Sequence, residues 1–174
     1  YESGTQGTDD RIEALEMTKG EKGVWSAEKT GDLNGVYYTY SVTTGKKTKE
    51  ACDPYAVTTG VNGNRAMVIN LDATDPEGWA GDHGSTDGMN YTDSVIYELH
   101  VRDFSIDASS GIQNKGKFLG LTEKGTKNMT GETTGLDYLV DLGVTHLHLL
   151  PSYDYATVDE TNLDTAQYNW GYDP

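Results

Sequence analysis

Thr133-Thr134-Gly135-Leu136-Asp137-Tyr138-Leu139-Val140-Asp141-Leu142-Gly143-Val144-Thr145-His146-Leu147-His148-Leu149-Leu150-Pro151 changes its period half-way along. The first part sets Leu136, Leu139, Val140 and Gly143 at helical spacing, with Thr133 or Thr134 able to cap the start and Gly143 able to end it. The second part, Val144 to Leu150, predicts a strand, stopped by a proline that cannot extend a ladder. Upstream, Val95-Ile96-Tyr97-Glu98-Leu99-His100-Val101-Arg102-Asp103-Phe104 predicts another. Alternation puts Val95, Tyr97, Leu99 and Val101 on one face and Ile96, Glu98, His100, Arg102 and Phe104 on the other. A strand, a helix and a strand form a βαβ unit, with parallel strands and a right-handed crossover. The polar row suits a strand open to water. It also suits a barrel strand whose Glu98, His100 and Arg102 face inward and must pair.

Beyond the second strand, Tyr153-Asp154-Tyr155 and Asp159-Glu160 lead into Tyr168-Asn169-Trp170-Gly171-Tyr172-Asp173-Pro174. Three large aromatics within five positions, mixed with an amide, a carboxylate, a glycine and a proline, predict a rigid loop. Such a loop suits a ligand that is apolar on its faces and hydroxylated on its edges, as sugars are, or else it is a surface turn whose rings pack beneath it. In parallel α/β folds, ligands bind at the C-terminal ends of the strands, which is where this loop lies. His146 and His148 share a face at a spacing able to bind a metal. Without a third ligand in view, two histidines carry no metal assignment.

Upstream of Ser94 the pattern is different. Ile12 to Met17 nearly alternates and predicts a strand, Thr18 to Gly23 a turn, and Val24-Trp25-Ser26 the next strand. Asp32-Leu33-Asn34-Gly35 turns the chain into Val36-Tyr37-Tyr38-Thr39-Tyr40-Ser41-Val42, which reads as a strand covered on both sides, and Thr44-Gly45-Lys46 returns it. Val61 to Leu71 adds a turn and one more strand. The sum is an all-β sandwich over residues 1–71, in which Trp25, Tyr38 and Tyr40 are either core or surface sugar contacts. Residues 72–93 are a polar connector. Ala108 to Thr130, rich in Gly, Lys and Thr, is an excursion between the strand and the helix.

Composition limits the partners. With 13 Lys and Arg against 28 Asp and Glu, the formal charge of −15 repels phosphate backbones and anionic membranes, so neither nucleic acid nor membrane is an expected partner. The single cysteine, Cys52, rules out an intrachain disulfide framework and a cysteine-rich zinc site. No cofactor is expected; the Asp-rich loops offer oxygen ligands for Ca²⁺, but no ligand pattern assigns a site.

These residues resemble type I pullulanases, α-amylase-superfamily enzymes that hydrolyse α-1,6 branch linkages in pullulan, glycogen and limit dextrins. Tyr168 to Pro174 reproduces that family's signature in full. Val95 to Phe104 is similar to the superfamily's first barrel strand and Gly143 to Pro151 to its second, while Gly23 to Ser26 with Gly31 to Tyr38 is similar to the β-sandwich preceding the barrel. The resemblance runs from about Ile12 onward, with a gap over Ala108 to Thr130.

The resemblance implies that residues 94–174 are the N-terminal part of a (β/α)8 TIM barrel. Far fewer residues follow Ser94 than the roughly 250 that a closed barrel takes. It also implies a retaining mechanism whose Asp nucleophile and Glu acid/base lie on later strands. Neither has a counterpart here, so the chain is expected to be a fragment truncated at both ends, inactive alone and dependent on the remaining barrel for stability. Within the chain the resemblance makes Tyr172 the platform under the glucose just before the cleaved bond, with Asp173, Trp170 and Asn169 around it. Two other readings remain open: a non-catalytic α-glucan-binding protein, and an isoamylase or branching-enzyme relative.

Overall fold

The computed structural model describes every residue except 85–87, 170, 171, 173 and 174. The chain divides into two compact units, Tyr1–Gly81 with Val158–Gln167, and Asp82–Thr157 with Tyr168–Pro174.

In the first unit the strands pair in twos and antiparallel. β1 (Thr18–Lys19) pairs with β2 (Trp25–Ser26), β3 (Tyr37–Tyr38) with β6 (Ala66–Met67), and β4 (Tyr40–Thr44) with β5 (Lys47–Ala51). The β4–β5 hairpin closes through Gly45-Lys46, with Gly45 at φ 63°, a left-handed conformation that a side chain would strain. The predicted single strand from Val36 to Val42 is divided at Thr39, where the chain changes partner from β6 to β5. Both strands of the hairpin are exposed throughout, not covered on two sides. Their remaining residues explain this, since Ser41, Thr43, Lys47, Thr48, Lys49 and Glu50 carry polar groups that burial would leave without water. Ile12 to Met17 forms no strand; pairing begins only at Thr18, and Ile12 and Leu15 stay 56% and 46% exposed. Alternation alone does not make a strand without a partner to take its N–H and C=O groups.

The best-buried point of this unit is Arg65-Ala66, 2% and 0% exposed. Arg65 Nη1 donates to Asp10 Oδ1 and Oδ2 at 2.8 and 3.0 Å and to the Ser3 carbonyl at 2.8 Å. Its guanidinium carbon lies 3.7 Å from the centre of the Tyr1 ring, a cation–π contact. Ser3 in turn donates both its N–H and its hydroxyl to Asp10 Oδ2, at 2.7 Å each.

The second unit contains the predicted parallel pair. β7 (Ile96–Leu99) and β8 (His146–Leu149) align Ile96 with His146, Tyr97 with Leu147, Glu98 with His148 and Leu99 with Leu149. Among the described residues this sheet has two strands and no closed barrel. The first strand is shorter than alternation predicts. It stops at Leu99, and α1 (Val101–Ser105) follows, with His100 as N-cap accepting from Asp103 N at 3.4 Å through Nδ1. Arg102 and Phe104 are therefore helical and do not continue a polar row from Glu98. His100-Val101-Arg102-Asp103 resembles a capping arrangement, a polar residue followed three places on by an acid, and that signal competes with alternation.

α2 (Gly135–Asp141) stands where the sequence predicts, with Thr134 as N-cap. The Thr134 hydroxyl does not cap the helix; it donates to Ser110 O at 2.6 Å. The excursion between α1 and α2 is an ordered loop with a small core. Ile112 is 1% exposed, Ser105 1% and Leu139 5%. Ser105 Oγ accepts from Gly116 N at 2.8 Å, Thr126 Oγ1 donates to Thr134 O at 2.9 Å, and Glu123 accepts from Gln113 N and Asn114 N at 2.8 and 2.7 Å. No helix among the described residues is long and apolar enough to cross a membrane.

Candidate functional site

The terminal aromatic stretch belongs to the second unit. Tyr168 and Tyr172 are 71% and 54% exposed, and Asn169 is half-buried. Of the other residues assigned to this site, Trp170 and Asp173 lie outside the described residues. Rings held open to water on a loop offer flat apolar area that a pyranose face can cover, with a hydroxyl left at the rim. In the same unit Tyr153, 48% exposed, sits 6.5 Å from Tyr155 with a 48° tilt, and Tyr155 is anchored by its hydroxyl to Pro151 O at 2.6 Å. Burial raises the Tyr155 phenol above its ordinary range, with the neighbouring Tyr153 adding to the shift.

The aromatic candidates of the first unit fall into two groups. Tyr38 and Tyr40 meet edge to face, with centroids 6.0 Å apart and planes at 74°. Tyr38 donates to Asp53 Oδ2 at 2.7 Å, and burial followed by that carboxylate pushes its phenol well above the usual tyrosine range. Tyr38 is thus half-buried and fixed, while Tyr40, 37% exposed, offers the more open ring. Trp25 stands on β2 in register with Lys19 and is 55% exposed.

The two histidines of β8 are accounted for by their strand neighbours. His148 Nδ1 lies 3.3 Å from Glu98 Oε2, its partner in the parallel register, and His146 Nδ1 lies 2.8 Å from Thr145 Oγ1. Among the described residues no group of three or more His, Cys, Asp or Glu is placed to hold a metal ion. Cys52 is a half-buried free thiol.

Within the first unit, Asn62 and Gln167, to which the sequence reading gives no site role, tie down the segment Val158–Gln167. Asn62 donates its N–H to Glu160 Oε2 and its Nδ2 to Val158 O, both at 2.6 Å, while Glu160 N donates to Asn62 Oδ1 at 3.3 Å. Gln167 Oε1 accepts from Asp159 N at 2.7 Å, and its Nε2 donates to Asp159 O and Asn162 O at 2.8 and 3.0 Å. The only sequence signal was Asn62-Gly63, a turn dipeptide. A partner nearly a hundred positions away leaves no local trace.

No protein-family model matches the chain. Individual relatives do. Over 160 residues, 92% of this chain and 21% of the relative, it is 43% identical to the pullulanase of Bacillus subtilis (strain 168). The chain belongs to the pullulanase family. Chloroplastic pullulanase 1 of Arabidopsis thaliana is 34% identical over 194 residues, covering 90% of this chain and 20% of the plant protein. The crystal structure of the Paenibacillus barengoltzii pullulanase in complex with maltohexaose and α-cyclodextrin superposes with a TM-score of 0.90 at 49% identity, over 100% of this chain and 27% of that one. The chain therefore spans about a fifth of the length of these curated pullulanases.

Proposed function

We propose that this chain is the glucan-gripping part of a debranching hydrolase that cleaves α-1,6-glucosidic linkages in pullulan, glycogen or limit dextrins with retention. The observation that carries the reading is the 43% identity to a pullulanase over 92% of the chain. The exposed rings of Tyr168 and Tyr172 and the maltohexaose and α-cyclodextrin held by the Paenibacillus barengoltzii enzyme support an α-glucan as the ligand. In this reading residues 1–71 are a carbohydrate-binding-like module, 72–93 a connector and 94–174 the opening part of a (β/α)8 catalytic domain.

Tyr172 stacks on the glucose preceding the cleaved bond, and Asn169, Trp170 and Asp173 shape the wall around it. Stacking fixes one face of the ring, so that flattening toward an oxocarbenium-like state starts from a held geometry. Trp25, Tyr38 and Tyr40 serve as accessory contacts for the same polymer. Retaining hydrolysis requires one carboxylate to attack and one carboxylic acid to donate a proton, and no residue of this stretch is assigned to either role. The chain is accordingly a binder without turnover, and completion of the barrel stabilises it.

The test is a maltotriose titration of the chain and of Tyr172→Ala, beside incubation with pullulan. We expect the variant to bind at least about tenfold more weakly, the cost of losing one stacking ring at roughly 1.4 kcal/mol, and neither protein to release reducing ends. Equal affinity in the two proteins would overturn the platform assignment, and debranching by the chain would overturn its inactivity.

A further inference from the structure

Within the second unit, Tyr153 stands just beyond β8, after the proline that stops the strand. β7 and β8 end level with one another, Leu99 opposite Leu149, and Leu150 N donates to Leu99 O at 2.8 Å. Chain leaving the C-terminal end of a parallel ladder projects from a rigid base into open space, and ligand contacts gather there. Tyr153 is 48% exposed, whereas Tyr155 is half-buried and anchored through its hydroxyl to Pro151 O at 2.6 Å. The two ring centres lie 6.5 Å apart with a 48° tilt, inside the roughly 4.5–7 Å range over which tilted aromatic rings attract one another. The open ring thus has a fixed neighbour. Ser152 and Asp154, on either side of Tyr153 in the chain, are exposed as well. A flat apolar ring flanked by a hydroxyl and a carboxylate suits a pyranose, which offers a C–H face to the ring and hydroxyls at its edge. Tyr91, 100% exposed in the 3₁₀ turn Tyr91–Asp93 that precedes β7, lacks this setting: it has no ring neighbour among the described residues and lies ahead of the strand, not past its end.

We propose that Tyr153 is a further stacking contact for the α-glucan, carried by the turn that leaves β8. The inference rests on the α-glucan reading given above and adds a residue to which that reading gives no role. A tyrosine ring has few rotors to fix, and one set beside an anchored ring has fewer conformations to lose when sugar covers it, so more of the stacking energy appears as affinity. A glucan of several units can offer a separate glucose to Tyr153 and to Tyr172, which makes maltohexaose the probe.

The variants separate a flat ring from mere bulk. Tyr153→Phe keeps the ring, Tyr153→Leu keeps apolar volume without a flat face, Tyr153→Ala removes both, and Tyr91→Ala removes an exposed tyrosine from the turn ahead of β7. Each full-length chain is titrated with maltohexaose and melted, and the tyrosine ring resonances of the parent are followed by NMR through the titration. The inference expects Tyr153→Ala and Tyr153→Leu each to bind about tenfold more weakly, Tyr153→Phe to stay within about threefold of the parent, Tyr91→Ala to match it, and the Tyr153 ring resonances to shift as sugar is added. Parent-like affinity in Tyr153→Leu, or a fall in melting temperature that Tyr153→Phe shares with Tyr153→Ala, would make Tyr153 a packing residue and overturn the contact. Parent-like affinity in Tyr153→Ala with Tyr172→Ala still impaired overturns the inference and leaves the α-glucan reading intact. If the parent itself does not bind maltohexaose, that reading fails and the inference goes with it.

Discussion

Arg65 shows how much a single buried cation asks of its surroundings. It is 2% exposed, and Asp10, the Ser3 carbonyl and the Tyr1 ring supply its partners. Replacing it with methionine leaves Asp10 facing Ser3 without its counter-charge, whereas removing Lys29 from its exposed pair with Glu13 changes a contact that solvent already screens. Thermal melts of Arg65→Met and Lys29→Met should show a clear drop for the first and almost none for the second. The same groups set a pH window. Hydrogen bonding, from the Ser3 hydroxyl first, holds Asp10 below the ordinary carboxylate range; the Tyr38 hydroxyl does so for Asp53, and the Thr161 hydroxyl for Asp159. Because the unfolded chain binds these protons more strongly, their contribution is complete above about pH 4 and is lost as pH falls through the depressed folded values. Tyr38 has the opposite sign. Its folded phenol is raised, so its contribution is complete below about pH 10 and is lost as pH rises further. The melting temperature should therefore be flat between these limits and fall at both ends, with Tyr38→Phe weakening the alkaline fall. None of this was legible in the sequence, where Asp10 falls outside every predicted element and Arg65 lies within the turn and strand of Val61 to Leu71.

At the scale of elements, what the sequence made legible depended on whether the signal was local. α2 and β8 followed from period, cap and proline, because those cues act within a few residues. β7 was shortened by a four-residue capping arrangement, His100 to Asp103, that outcompeted alternation at His100. The strand predicted from Val36 to Val42 was divided because its two ends have different partners, and partner choice is not written in the strand itself. The excursion from Ala108 to Thr130 was the least legible, since its order comes from backbone packing around glycines. A Cβ on Gly111, at φ 72°, would run into the backbone of Lys127, and one on Gly120 would meet Asn114 O at 2.6 Å. Gly111→Ala should cost on the order of 1–3 kcal/mol, the range for a strained left-handed residue, read as a loss of denaturation midpoint. On α2, Leu139→Ala should cost about 2–5 kcal/mol because Leu139 is 5% exposed, whereas Val140→Ala, at 67% exposed, should change the midpoint little.

At the scale of the whole molecule, the resemblance implies an α-glucan platform at Tyr172 with Asn169, Trp170 and Asp173 around it, Trp25, Tyr38 and Tyr40 are proposed as accessory contacts, and family membership supports the ligand class. Of the residues proposed for the platform, Asn169 and Tyr172 lie among the described residues, and the ties that Asn62 and Gln167 make to Val158–Glu160 within the first unit emerged only from the structure. The proposed connector over residues 72–93 is exposed along nearly all its described length, so limited proteolysis should cut the chain after about Asp72 before it cuts elsewhere, and a first cut within α2 would contradict that boundary. Two accounts of glucan binding divide on where the sugar sits. Ring-resolved NMR of the chain titrated with maltotriose decides between them. The platform account predicts that the Tyr172 ring resonances shift with the titration. Shifts confined to Trp25, Tyr38 and Tyr40, with Tyr172 unmoved, would contradict it and make the chain a glucan-binding module that holds sugar on its first unit alone.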